Sequence, residues 1–81
     1  KYEVRDTRCA VWRAVSSPMR SKGKIELLLC NNKGLLHVTC PDKNISPQNS
    51  DFDNVRRGDL VSFCGSQLIE KTTEFKILKR P

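Results

Sequence analysis

Aromatic side chains are scarce in this chain: one Trp, one Tyr and three Phe among 81 residues. Histidine occurs once, as His37, and no His–carboxylate pairing or glycine-rich phosphate loop accompanies it. Enzymatic chemistry is therefore not expected, because neither a base nor a nucleophile stands out. Structural zinc draws on close ligand pairs from turns. The four cysteines, Cys9, Cys30, Cys40 and Cys64, contain no Cys-x-x-Cys pair, so neither a metal nor any cofactor is expected. No apolar run approaches a membrane helix, no basic amphipathic helix is visible, and the N-terminus carries no signal-peptide pattern.

What the chain has in excess is positive charge. Fifteen Lys and Arg stand against nine Asp and Glu, a formal net charge of +6. In so small a domain this favours anionic partners, nucleic acid above all. The length allows one domain, residues 1–81, with a small core. Opening on Lys1 and closing on Pro81, it is expected to be a domain cut from a longer protein. An even cysteine count permits two disulfides, as in a secreted module. Each cysteine lies in or beside an apolar strand, however, where a free thiol behaves as a small buried hydrophobe. Reduced, structural cysteines and an intracellular location, nucleus or cytoplasm, are the expectation.

Five strands are read between turn signals. The first covers residues 4–15 and is long enough to require a bend or bulge. Residues 16–23 form a polar loop marked by Pro18 and Gly23. The second strand, 24–30, turns Ile25, Leu27 and Leu29 to one face, and Asn31-Asn32-Lys33-Gly34 is a hairpin signal. The third, 35–40, directs Leu36 and Val38 inward. Residues 41–57 form a connector with at most one or two helical turns, Ser50 capping one of them, and with Phe52 and Val55 plugging one end of the sheet. Asp51 and Asp53 flank the anchored Phe52 ring as turn residues.

The most telling segment is Val55-Arg56-Arg57-Gly58-Asp59-Leu60-Val61-Ser62-Phe63-Cys64-Gly65. Gly58 can take the positive φ of a tight turn, and Asp59 can bind nearby amides. The fourth strand then alternates Val61 and Phe63 into the core, and Gly65 marks a bend. Residues 66–72 are a loop or strand extension. The fifth strand, 73–78, points Phe75 and Ile77 inward.

Three strands in a meander, a connector and a two-strand hairpin, with the Gly58-Asp59 turn and a basic last strand, resemble the OB-fold superfamily. The likeness covers nearly the whole chain and lies in pattern, without a diagnostic motif. It implies an all-β fold, a small five-stranded barrel with a short helical or irregular connector between strands three and four. An SH3-like barrel shares the same strand count. The resemblance also implies a ligand face over strands two and three, closed by the loops that join strands one to two and four to five.

Carried onto this chain, that face points to Arg20, Lys22 and Lys24 around the first loop, with Met19 as an apolar contact. Lys71 and its neighbour Gln67 come from the last loop. His37 lies on the strand face with Glu26, Leu28 and Thr39, while Arg13 and Lys76 extend the basic track. Trp12 is the best stacking candidate if Val11 and Val15 occupy the core side; its alternative is packing under a loop. Arg56 and Arg57 are phosphate candidates or simply a solvated turn. So few aromatics imply weak, salt-sensitive binding carried by Lys and Arg. The leading expectation is a module that grips single-stranded DNA or RNA within a larger nucleic-acid-processing protein, an accessory barrel of a helicase included. The alternatives are a protein-interaction OB domain that assembles a complex with other domains or subunits, and a secreted disulfide-bonded barrel.

Overall fold

A computed structural model describes residues 9–65 and 68–81. It contains six antiparallel strands: β1 (Cys9–Ala14), β2 (Met19–Ser21), β3 (Lys24–Asn31), β4 (Gly34–Pro41), β5 (Leu60–Cys64) and β6 (Glu74–Lys79). Along one edge β3 pairs with β4; along the other it takes both β1 and β2. β5 continues from β1, and β6 from β5. The sheet curls into a half-barrel, the all-β architecture expected from the strand pattern.

The sixth strand arises where a loop was expected. Val15 still donates to the Leu28 carbonyl at 2.9 Å, and Met19 already pairs with Glu26. Residues 16–18 are therefore looped out opposite Leu27, and the first strand resumes as β2. The bend or bulge expected within residues 4–15 is not seen in the described part, where Cys9–Arg13 keep an unbroken register with β5; the interruption falls after it, at residues 16–18. The chain then reverses at Lys22 (φ 53°) and Gly23 (φ 77°). Two successive positive φ values are the signature of the type I′ hairpin turn, whose twist matches the flanking strands.

Alternation along β3, β4, β5 and β6 buries Ile25, Leu27, Leu29, Val38, Cys40, Val61, Phe63 and Phe75. The connector supplies Phe52 and Val55 to the same core, as the sequence predicts. The rings of Phe52 and Phe75 meet edge to face at 5.0 Å. A second plug, Ile69, comes from the stretch before β6 and is fully buried. It closes the open side of the half-barrel: Ile69 N–H donates to the Thr39 carbonyl, and Leu68 bridges Thr39 in parallel.

A half-barrel leaves sheet edges that need partners. The connector meets that need at β6, where Gln48 C=O accepts from Phe75 N–H and Asp51 Oδ2 from Ile77 N–H. It holds short 3-10 turns at Asp42–Asn44 and Ser50–Asn54 and no longer helix. Asn49, not Ser50, stands at the start of the second turn, and its side chain is used elsewhere. Fully buried, Asn49 accepts from Ser46 N–H and donates to the carbonyls of Asn44 and Glu70. One amide side chain thus ties the connector to the β5–β6 loop.

Two expectations are overturned. Trp12 lies on the core side, packed against the buried cluster, while Val11 is 50% exposed and Val15 is also exposed. The register decides this: Trp12 pairs with the buried Val61, and Val11 with Ser62. The cysteines do not remain all reduced. Cys9 and Cys64 are direct partners across β1 and β5, with Cα atoms 4.1 Å apart, and form a disulfide. Cys30 and Cys40 are free thiols. Burial first, then the Asp42 and Asp53 carboxylates, push the Cys40 thiol above its ordinary value, which keeps it protonated and unreactive at neutral pH. No helix among the described residues is long and apolar enough to cross a membrane.

Candidate nucleic-acid interface

Side chains opposite the core form the outer face of the sheet, and the strand registers arrange them in rows. One row runs Leu35, Cys30, Arg13, Leu60, Lys79 across β4, β3, β1, β5 and β6. Beside it, Val11 and Ser62 lead to Lys76. On the other side, Leu28 pairs with His37, Glu26 with Thr39 and Met19, and Lys24 with Ser21 and Pro41.

These rows make an apolar half and a basic half. The apolar half, over β2, β3 and β4, contains a cleft of about 270 Å³ lined by Ser16, Met19, Glu26, Leu27, Leu28 and His37. Met19 is 68% exposed and Leu35 67%. Glu26 Oε1 lies 3.3 Å from His37 Nε2, so one carboxylate is committed within the cleft. The basic half, over β1, β5 and β6, carries Arg13, Lys76 and Lys79, with Lys24 at the far margin of the face. Glu26 and Glu74 are the acidic side chains on these strands.

The candidates Arg13, Lys24, His37 and Lys76 all lie on this face; for Arg13 that follows from the reversed parity of β1, which turns Val11 and Arg13 outward and Trp12 inward. Arg20 goes elsewhere. It pairs with Ile25, whose side chain is in the core, so its own side chain leaves on the opposite side from Met19. There its guanidinium donates to Asp42 Oδ1 and, at 2.8 Å, to Asp53 Oδ2. A cation holding two carboxylates clamps β2 to the connector and has little charge left for a phosphate. Lys22 sits in the hairpin turn and Lys71 in the β5–β6 loop, both exposed, with the Lys71 carbonyl accepting from Ser46 Oγ. Gln67 and Tyr2 lie outside the described residues. Trp12 is withdrawn from the face, its indole N–H buried without a partner among the described residues. Phe52, Phe63 and Phe75 are buried, so the face offers no aromatic platform among the described residues.

The Gly58-Asp59 turn holds a second cluster that the sequence only half disclosed. Ala14 donates to the Asp59 carbonyl and accepts from Gly58 N–H, so the turn extends the β1–β5 ladder. Gly58 has φ 91°, and a Cβ there would stand 3.2 Å from Pro81 Cγ, so both backbone and space call for glycine. Asp59 is buried; its Oδ2 accepts from Arg56 N–H at 2.8 Å and lies 3.4 Å from Arg80 Nε. Arg80 also donates to the Asn54 carbonyl, and Arg13 to the Gly58 carbonyl at 2.9 Å. Arg56 and Arg57 are exposed at the turn itself. Lys79 and Arg80 were missed in the sequence, because the pattern of a terminal basic pair carries no sign of which turn it meets.

Among the described residues, no three His, Cys, Asp or Glu side chains gather in a way that would hold a metal ion. Comparison with protein-family models, with curated proteins and with solved structures gives no match to this chain.

Proposed function

We propose that this is an OB-like binding module, not an enzyme, that grips single-stranded nucleic acid across the outer face of the half-barrel, within a larger nucleic-acid-processing protein. The observation that carries the reading is the pairing of Arg13, Lys24, Lys76 and Lys79 on one sheet face with the cleft between Met19, Leu28 and His37. A single strand needs cations along its phosphates and a less polar surface for its bases. Here the cations supply the first requirement, and aliphatic side chains with His37 take the place of aromatic stacking partners. Without aromatic stacking, each worth roughly 1–3 kcal/mol, affinity rests on charge and is modest.

Fluorescence anisotropy of a labelled single strand tests it. With Arg13 and Lys79, which flank Leu60 in one row, sharing a phosphate, three phosphate contacts give a log–log salt slope near −2, or about a 20-fold loss of affinity between about 50 and 200 mM salt. Charge reversal at the exposed pair Lys24→Glu with Lys76→Glu should abolish binding at low salt. An unaltered protein that binds no strand at low salt would overturn the reading.

A second reading has its own support. Val11, Met19 and Leu35 are large, exposed and apolar on the same face, and the visible aromatics are all withdrawn from it. Such a surface fits a protein partner in an assembled complex. The two readings separate on salt: docking through the apolar half would persist where a phosphate-borne interaction is lost.

A further inference from the structure

We infer that the hollow beside the Gly58-Asp59 turn is a clamp for one backbone phosphate of the bound strand, an assignment that rests on the single-strand reading above. The hollow measures about 230 Å³ and is lined by Arg13, Gly58, Leu60, Lys79, Arg80 and Pro81. Three of its six lining residues carry cationic side chains and none carries an acidic side chain. A larger groove of about 710 Å³ also has Arg80 in its lining, and there Asp51 and Asp53 share the wall with Arg56 and Arg80. Those carboxylates repel an anion, so the smaller hollow is the one suited to phosphate.

Its two arginines are held in place before any ligand arrives. Arg13 spends one N–H on the Gly58 carbonyl. Arg80 is fixed by the Asn54 carbonyl and by the buried Asp59 carboxylate. A guanidinium has five N–H donors in a rigid fork, so both arginines keep donors for an oxyanion. Fixing them in advance removes much of the ordering cost that a mobile surface lysine incurs on binding. Asp59 is turned toward Arg56 N–H beneath the turn and is not part of the hollow's lining.

The position also suits a strand lying on the outer face. Arg13 pairs with Cys30 on the neighbouring strand, and Leu28 is two residues farther along β3. Strand spacing of about 4.8 Å and a two-residue rise of about 6.7 Å place Arg13 and Leu28 roughly 8 Å apart at Cα. That separation is on the scale of a single-strand step, so a strand with a phosphate held by Arg13 can continue over β3 toward the cleft at Leu28 and His37.

The test compares the unaltered protein, Arg13→Gln with Lys79→Gln, and the charge-loss control Lys43→Gln on the connector, each checked for a native amide spectrum. The double variant should bind a labelled single strand about tenfold more weakly at low salt, with a salt slope shallower by about 0.7. Arg13→Lys, which keeps the charge and loses the fork, should recover only part of that loss. A double variant indistinguishable from Lys43→Gln would overturn the clamp while leaving single-strand binding intact. In parallel, inorganic phosphate is titrated and followed by the amide signals of Gly58, Leu60 and Lys79. Saturable shifts confined to those residues support the pocket, and none would overturn it. Saturable phosphate shifts in a protein that binds no strand would refute the assignment to a strand phosphate and the proposed function together.

Discussion

The connector end and the outer face of the same sheet differ in where their side chains find partners. At the connector end, Phe52 meets Phe75, Asn49 binds three backbone groups, and Arg20 bridges Asp42 and Asp53. On the outer face, Met19, Leu35 and Val11 stand exposed, and Lys24, Lys76 and Lys79 project into solvent. Stability is therefore concentrated at the first region, and the second is left available for an external partner. The Cys9–Cys64 disulfide crosses this division, because it is a stabilising link placed among outer-face rows.

The largest expected effect breaks the connector end. Phe52→Ala opens a cavity beside Phe75 and should cost about 3–5 kcal/mol in urea unfolding. Met19→Ala and Leu35→Ala, on the exposed face, should stay within about 0.5 kcal/mol in the same measurement. Comparable losses at both regions would dissolve the contrast.

Next comes the disulfide. It closes a loop with a sequence separation of 55, and its reduction or the double change Cys9→Ser with Cys64→Ser should cost up to about 4 kcal/mol on a chain-entropy estimate. Intact mass with and without reductant checks the bond itself, at about 1 Da per released thiol. An unchanged mass after purification without reductant would return all four cysteines to the free state. The location would then again be arguable from reduced thiols, since disulfides persist mainly in oxidising compartments.

A smaller effect sharpens the division within the connector. Asn49→Ala leaves Ser46 N–H and the Glu70 carbonyl without their buried partner, and should cost about 1–3 kcal/mol. Asn49→Asp retains the acceptor for Ser46 but loses both donors, so it should not restore stability. Hydrogen exchange is the informative readout: opening should be confined to the connector and the β5–β6 loop, with the β3–β4 ladder still protected.

Some of these features were legible in the chain because local chemistry suffices for them. Ile25, Leu27 and Leu29 alternate in one strand, so their common burial follows from backbone geometry alone. Gly58-Asp59 reads as a turn because only certain residues tolerate its backbone and bind its amides. The basic balance was legible as net charge, and the outward placement of Lys24, His37 and Lys76 by strand parity. Arg13 shares the parity of Val11 and Val15, so the reading that turned those two inward would have turned it inward as well. Parity failed at Trp12, where Val11 and Val15 looked like the core pair. Apolar character cannot tell which of two alternating sets faces inward when both contain large apolar side chains. Arg20 failed for a different reason: a bulge at residues 16–18 turned a loop into β2, and the connector brought two carboxylates to it.

The amino-acid sequence by itself determined the all-β class, most strand positions, the Phe52 and Val55 plugs and the basic balance, because these depend on neighbours within a few residues. Tertiary structure alone decided which face Trp12 occupies, which cysteines meet, and which cations remain uncommitted. Those outcomes depend on register between strands far apart in the chain, where a single step exchanges the two faces. The gathering of Arg13, Lys79 and Arg80 around the Gly58-Asp59 turn is of the same kind, since three segments must converge before the hollow exists.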